Sequence, residues 1–431
     1  MIYFGTDGIR GIANKELTPK LCFKCGLALT KIVHKPKILI ATDTRKSKDL
    51  IVFSFLSGVL SGGGEVLDIG IAPTSAVSFL LTKFNFDFGV VISASHNPKE
   101  YNGIKIFSSC GEKISEKLES EIENYIITPQ SIEGNYGIYT KNIKLLKLYE
   151  EYLCSNVNAR FNGLKVVLDM SNGASFKVAP KIFKKLGAEV ISINAGSGEI
   201  NENCGSLFLD GLKQKVLEVK ADVGIAFDGD ADRIICVDSL GNVVDGDNII
   251  YILAKYLKKK NLLKNNVVVG TSQTNLKIEK RLKNLGINFI RSDVGDKFVI
   301  EKMNEFGAVL GGEQSGHIII SNILKTGDGI LAGLKLLEIL ISENKSLKRL
   351  NNIRLMPQIL TNIKVKDKLR IKNSEELNNL IINLQQNFDG RIIVRCSGTE
   401  EKIRVLVEGK SKKLIKQITN EIVKLINKLN I

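Results

Sequence analysis

Apolar residues in this chain fall into two kinds of block. Some are short and unbroken, such as Phe88 to Ile92, Val223 to Phe227 and Val267 to Gly270. That pattern suits a strand covered on both faces rather than one with a wet side. Others recur at helical spacing: Cys22, Cys25, Leu29 and Val33 form one stripe after Thr18-Pro19, a good helix start. The patterning predicts strands over 37–41, 65–69, 88–92, 102–107, 165–169, 189–193, 223–227, 267–270, 359–365, 390–394 and 403–407. It predicts helices after Pro19 and over 53–60, 141–153, 176–186, 248–256, 276–285 and 330–341. A terminal helix should carry Leu414, Ile418, Ile422 and Leu425. Phe4 to Gly11 is too glycine-rich for an element interior and reads as a loop.

Strand and helix alternate through most of the chain, which points to an α/β protein of four domains. The expected divisions are 1–153, 154–245, 246–356 and a smaller α+β domain at 357–431. No repeat period is visible that would make the first three copies of one another. With 431 residues, 44% of them hydrophobic, the chain can bury a real core. Its best membrane candidate, Ile330 to Ile341, is interrupted by Lys335 and Glu338, and its first residues lack a signal pattern, so a cytoplasmic location is expected. Seven cysteines, an odd number, argue against a disulfide framework, and the Cys22–Cys25 pair reads as core packing. His34 reads as surface. The net charge of +15 follows from heavy lysine use, with aromatics at only 6% and no basic groove interleaved with them. Nucleic acid and membrane are therefore not expected partners; some focusing of anionic ligands is.

Candidate chemistry gathers at loops. The strand over 88–92 ends in Ser93-Ala94-Ser95-His96-Asn97-Pro98, where Pro98 biases Asn97 away from helix. Loops at the carboxyl ends of parallel strands are where α/β sheets bind ligands, and a serine there can carry a phosphoryl group. Alone, Ser95 reads equally well as a turn serine. Asp228, Asp230 and Asp232 follow another apolar strand at alternate positions, so in an extended segment they would project from one side. Three hard oxygen ligands suit Mg²⁺, and an EF-hand is excluded because Arg233, not glycine, stands at its sixth position. Arg233 could hold a phosphoryl oxygen bridging to that metal. Arg395, Ser397, Gly398, Thr399 and Arg404 combine exposed N–H groups, hydroxyls and guanidinium forks, a phosphate cradle without the Walker pattern. Glu313, Gln314, Ser315 and His317 mix donors and acceptors as a polyol would need, though an ordinary loop reads as well.

Taken together, Phe4–Gly11, Ile92–Pro98, Asn102–Lys105, Asp228–Arg233, Gly311–His317 and Arg395–Glu400 resemble, in order, the motifs of the α-D-phosphohexomutase family. The resemblance implies three related α/β domains with mixed sheets plus a fourth around a central cleft. It makes Ser95 a phosphoserine, with one Mg²⁺ per chain held by Asp228, Asp230, Asp232 and a phosphate oxygen of Ser95. Arg10, Lys105 and His96 join Ser95 in the catalytic group, the first two for proton transfer or charge neutralisation. Glu313, Ser315 and His317 would hold the sugar; Arg395, Ser397, Gly398 and Thr399 would hold the phosphate not in transit, with Arg233 and Arg404 also binding substrate. The motifs are most similar to the glucosamine branch, which implies interconversion of glucosamine 6-phosphate and glucosamine 1-phosphate for amino-sugar nucleotide and cell-wall synthesis. A mannose or glucose phosphate mutase is the alternative, and a non-catalytic sugar-phosphate or nucleic-acid binding protein the remote one. A hexosamine or glucose 1,6-bisphosphate would serve as activator, and a homodimer is left open. Three positions depart from the family pattern: Tyr101 for aspartate, Ala231 for glycine and Glu401 for proline. Alanine at 231 is expected to hold φ below zero.

Overall fold

The computed structural model describes residues 2–5, 7–132, 136–397 and 401–430. They form two compact units, one of residues 1–272 and 287–352, the other of 273–286 and 353–431.

The first unit carries three sheets. Strands β1 (Phe4–Gly5), β2 (Gly8–Ile12), β3 (Lys37–Thr42), β4 (Glu65–Ile71), β5 (Phe88–Ile92), β6 (Tyr101–Ser108) and β7 (Ile138–Lys141) make the first, in the order β1-β2-β6-β5-β3-β4-β7. Strands β8 (Lys165–Asp169), β9 (Glu189–Ile193), β10 (Val223–Phe227), β11 (Ile234–Asp238) and β12 (Val243–Val244) make the second, ordered β12-β11-β10-β8-β9. The third is β14-β13-β15-β16, from β13 (Val267–Thr271), β14 (Asn288–Ser292), β15 (Leu310–Gly312) and β16 (Ile318–Ile320).

These orders contain one pattern three times. Each sheet holds four successive strands arranged second, first, third, fourth: β4-β3-β5-β6, β9-β8-β10-β11 and β14-β13-β15-β16. The first three strands of each set are parallel, and the fourth runs antiparallel to the third. The sheets are thus mixed and related. The connection from third to fourth strand leaves the carboxyl end of a parallel strand and returns at once as a hairpin. The Ser95, Asp228–Asp232 and Glu313–His317 stretches occupy that same connection in their respective sheets.

Most expected elements are present, with boundaries moved by a few residues. Phe4 to Gly11 differs: it is an edge hairpin rather than a loop, and β2 pairs along β6 from Ile9–Ile104 to Ile12–Tyr101. Gly8 takes φ 78° where the hairpin turns, a conformation glycine adopts without steric cost. Residues 138–141 are also strand, and helix begins only at Leu146. The helix expected over 176–186 is shorter, Ala179–Lys185. Patterning missed the helices Thr74–Leu81, Glu116–Ile127, Asp210–Val219, Asp296–Phe306 and Glu375–Gln386.

Helices Pro19–Ile32 and Lys48–Ser61 cover one face of the first sheet, where Cys22, Cys25, Leu29 and Phe55 are fully buried. Thr18 caps the first by accepting from the Leu21 N–H. The two helices meet through glycines: a Cβ on Gly58 would lie 2.0 Å from the Phe23 carbonyl oxygen, and one on Gly26 2.2 Å from that of Phe55.

In the second unit, β17 (Gln358–Lys364), β18 (Gly390–Cys396) and β19 (Lys402–Gly409) form an antiparallel sheet ordered β17-β19-β18. Helix Lys412–Leu429 buries Ile415, Ile418, Ile422 and Ile426. Leu414 is exposed and Leu425 only half-buried, so the stripe keeps Ile418 and Ile422 but takes Ile415 and Ile426 at its ends in their place.

Candidate active site

Ser95 follows β5 by three residues and is fully buried. Its φ is 51°, left-handed backbone that few side chains adopt without support. Its N–H donates to Ser93 Oγ at 2.9 Å. Its own Oγ donates to Asp228 Oδ2 at 2.5 Å and lies 3.4 Å from His96 Nδ1. The first and second sheets therefore meet at this hydroxyl.

Asp228, Asp230 and Asp232 do converge, but an extended segment is not the cause. The stretch is a tight turn in which the Ala231 N–H donates to the Asp228 carbonyl at 3.1 Å. Ala231 sits at φ 60°, which corrects the expectation that alanine would keep φ negative. Tertiary contacts hold it there: the Ala231 carbonyl accepts from the Gly329 N–H at 2.9 Å, and the side chain is fully buried. Among the described residues, the three aspartates offer carboxylate oxygens that all lie within 4.8 Å of one another. Asp230 Oδ1 and Asp232 Oδ1 are buried with no hydrogen-bond partner. Hard, converging oxygens with unspent lone pairs fit Mg²⁺. Burial and the neighbouring Asp232 and Asp230 charges push the Asp228 carboxyl well above the usual range. Burial would raise Asp232 too, but Lys105 and His317 outweigh it and bring that carboxyl well below.

Lys105, on β6 and almost fully buried, reaches Asp230 Oδ2 at 2.6 Å, Asp232 Oδ2 at 3.1 Å and Asp7 Oδ2 at 3.0 Å. Arg10, on β2, pairs with Asp7 and donates from Nη1 to Asn97 Oδ1 at 3.1 Å. The edge hairpin therefore lays a cation beside the serine loop. Tyr101 opens β6, where its carbonyl accepts from Arg45 Nη1 at 2.8 Å and its N–H donates to the Pro98 carbonyl at 3.1 Å. Burial, then Arg233 and Arg10, lowers His96 to about 3, so its imidazole is neutral near pH 7.

The third sheet closes the group. Its loop turns tightly, with the Gly316 N–H on the Glu313 carbonyl at 3.0 Å. Arg233 and His317 form a β-bridge that joins the metal loop to this one. His317 lies between two carboxylates, Nδ1 at 3.7 Å from Asp232 Oδ2 and Nε2 at 3.6 Å from Asp296 Oδ2. Burial would lower its pKa, yet Asp232, Asp296 and Glu313 together outweigh burial and raise it. Glu313 is buried and accepts from the Gly295 N–H at 3.1 Å; Ser315 is exposed. The Arg233 N–H reaches Asp228 Oδ1 at 3.2 Å, with its Nε 3.8 Å from Asp232 Oδ1.

Sequence reading missed four groups here. Asp7 and Asp296 both pair with Lys113, at 2.5 Å for Asp296. Thr74 Oγ1 donates to Asp230 Oδ2 at 2.7 Å. Residue 7 stood inside the glycine-rich Phe4–Gly11 stretch, the only available signal; Thr74, Lys113 and Asp296 carried none.

Arg395, Ser397 and Arg404 belong to the second unit. Arg395 stands directly across from Arg404 in the β18–β19 ladder, and the Ser397 N–H donates to the Lys402 carbonyl at 2.8 Å. Gly398 and Thr399 lie outside the described residues. Glu401, a departure from the family pattern, is met by Lys368 at 3.2 Å, so its charge is compensated.

A buried serine hydroxyl against a carboxylate triad, ringed by lysine, arginine and histidine from three sheets of one topology, is chemistry suited to phosphoryl transfer. The chain belongs to the phosphoglucomutase/phosphomannomutase family: residues 1–133, 147–241 and 245–355 match its alpha/beta/alpha domains I, II and III, and 360–425 its C-terminal domain. It is thus a phosphohexomutase, an isomerase that relocates phosphate on a sugar. Among similar proteins are the phosphoglucosamine mutases of Carboxydothermus hydrogenoformans, 44% identical, and of Thermoanaerobacter sp. strain X514, 46% identical, each alignment covering 99% of both chains. A phosphoglucomutase/phosphomannomutase family protein from Burkholderia thailandensis shares the fold with a TM-score of 0.82 at 21% identity, covering 98% of this chain and 97% of that one. So does Aspergillus fumigatus N-acetylphosphoglucosamine mutase, solved in complex with GlcNAc-6P and magnesium, with a TM-score of 0.72 at 16% identity over 100% and 96% of the two chains. No helix among the described residues is long and apolar enough to cross a membrane.

Proposed function

We propose that the protein interconverts glucosamine 6-phosphate and glucosamine 1-phosphate through a phosphoserine at Ser95. The observation that carries the chemistry is the Ser95 hydroxyl lying 2.5 Å from one of three converging carboxylates. The substrate choice is supported by full-length likeness to phosphoglucosamine mutases at 41–46% identity.

In this reading the P–Oγ bond of phosphorylated Ser95 breaks as a P–O bond to the free sugar hydroxyl forms, and that hydroxyl's proton passes to the serine oxygen. The bisphosphate turns, and its other phosphate returns to Ser95 by the reverse exchange. Asp228, Asp230 and Asp232 would hold Mg²⁺, which offsets charge on the group in transit. Lys105 and Arg10 add fixed positive charge at the same place, and His96, neutral and 3.4 Å from Oγ, is a hydrogen-bonding partner for the serine oxygen. Glu313, Ser315 and His317 orient the sugar, with Arg233 reaching for phosphoryl oxygens. Arg395, Ser397, Gly398, Thr399 and Arg404 supply the donors for the second phosphate. The division of labour follows the domains: 1–153 the serine, 154–245 the metal, 246–356 the sugar and 357–431 the stationary phosphate. A hexosamine or glucose 1,6-bisphosphate primes the serine, and the work is done in the cytoplasm.

Two measurements test this. Ser95→Ala should fold normally and lose turnover, because the hydroxyl that carries the phosphoryl is gone; undiminished turnover removes the mechanism. Turnover of glucosamine 6-phosphate should exceed that of the mannose and glucose analogues. A preference for either analogue moves the enzyme to another branch while leaving the serine chemistry intact.

A further inference from the structure

Arg45 lies just past β3, in the stretch Asp43-Thr44-Arg45, and its side chain is fully buried. A guanidinium has five N–H donors, and a buried one is costly unless they are met. Here five acceptors meet them. Nε donates to Asp43 Oδ2 at 2.9 Å. Nη1 reaches the carbonyls of Pro98 at 2.5 Å and Tyr101 at 2.8 Å. Nη2 reaches those of Ser95 and Asn97, both at 2.9 Å. Four of the five acceptors are thus backbone oxygens of the serine loop and the start of β6.

The fifth partner completes a circuit. Asp43 Oδ2 also accepts from Ser93 Oγ at 2.6 Å, and Ser93 Oγ accepts from the Ser95 N–H. Both peptide groups flanking Ser95 are therefore tied to one guanidinium–carboxylate pair, its carbonyl directly and its N–H through Ser93. From the second sheet, Asn201 Nδ2 holds the Ser95 and Asn97 carbonyls as well, at 2.8 and 3.0 Å. Left-handed backbone at a residue with a side chain is unfavourable and persists only where its surroundings over-determine it. Arg45 is the centre of that over-determination.

We propose that Arg45 is a positioning residue for phosphoryl transfer: it fixes the left-handed Ser95 so that Oγ points at the carboxylate triad. An arginine near a phosphoserine would ordinarily be assigned to the phosphate. Arg45 is not, because each of its donors already has a backbone or Asp43 acceptor. The inference rests on Ser95 being the phosphoryl carrier.

The test follows phosphate entry into Ser95 from labelled glucose 1,6-bisphosphate in the wild-type enzyme, Arg45→Lys and Asp43→Asn, with the folded fraction measured in parallel. Lysine has three donors on a point charge and cannot span five acceptors. Arg45→Lys should slow labelling per folded molecule by about 10²-fold, the scale of a small misplacement of reacting groups, with KM for the sugar phosphate little changed. Asp43→Asn, which frees the guanidinium from its anchor while keeping the volume, should also slow labelling, by less. Loss that tracks only the folded fraction, or labelling of folded Arg45→Lys at the wild-type rate, overturns the proposal. If Arg45→Lys does not fold, wild-type labelling in Asp43→Asn overturns it instead. Absence of label in the wild-type enzyme would point elsewhere, to the phosphoserine reading itself.

Discussion

Ala231 shows how one residue can carry a cost for its neighbours. It sits at φ 60° so that Asp228, Asp230 and Asp232 can turn toward one point. Alanine tolerates this region at a price of about 1–2 kcal/mol, whereas a β-branched side chain there is a genuine outlier. Ala231→Val should therefore lower unfolding free energy by about 1–3 kcal/mol, read from urea denaturation. A variant as stable as wild type would mean that the turn can relax. At this scale the sequence was a good guide to chemistry and a poor one to cause. The spacing of the three aspartates was legible, since two-residue intervals after an apolar strand are visible to inspection. The turn that brings them together was not, because alanine's preference points the other way and only the packing around Gly329 reverses it. Arg45 and Thr74 were hidden for a related reason: the loop carbonyls that Arg45 holds and the carboxylate that Thr74 meets lie 50 or more residues away along the chain.

Elements were legible where burial is two-sided. Strands β5, β10 and β13 announced themselves as unbroken apolar runs. Helix Glu116–Ile127 was missed because its polar face dominates its composition, with a single stripe of Ile122 and Ile126 buried. The hairpin at Gly8 was missed because its pairing with β6 supplies what glycine propensity withholds. The crossing of helices Pro19–Ile32 and Lys48–Ser61 gives a prediction in which packing and propensity disagree. In an isolated helix Gly58→Ala would gain about 1 kcal/mol. Here the new Cβ would lie 2.0 Å from the Phe23 carbonyl oxygen, a backbone atom with nowhere to go. Overpacking of this kind costs about 1–3 kcal/mol, so the variant should melt lower than wild type. A higher melting temperature would show that the helices can slide apart.

For the molecule as a whole, alternation of strand and helix was enough to expect α/β domains, but not to see that three sheets share one strand order. Strand order is set by which edges meet, and many different apolar runs satisfy it, so it leaves no period in the residues. The whole-molecule prediction concerns the cation. A ligand bound only by the folded state at 100 times its Kd stabilises by about 2.7 kcal/mol. Mg²⁺ should raise the wild-type melting temperature, and Asp230→Asn, with one of three carboxylates neutralised, should lose most of that rise. An equal shift in both proteins would place the ion elsewhere.

Because Ser95 and Asp228 are 133 positions apart, and Thr74 and Asp230 are 156, the reactive centre has no local precursor. A nascent chain emerging from the ribosome would complete its first sheet well before the aspartates that give Ser95 its setting had been synthesised. The His317 loop would come later still. Turnover is therefore a late reporter of assembly: chains truncated before residue 228 could fold their first sheet and remain inert.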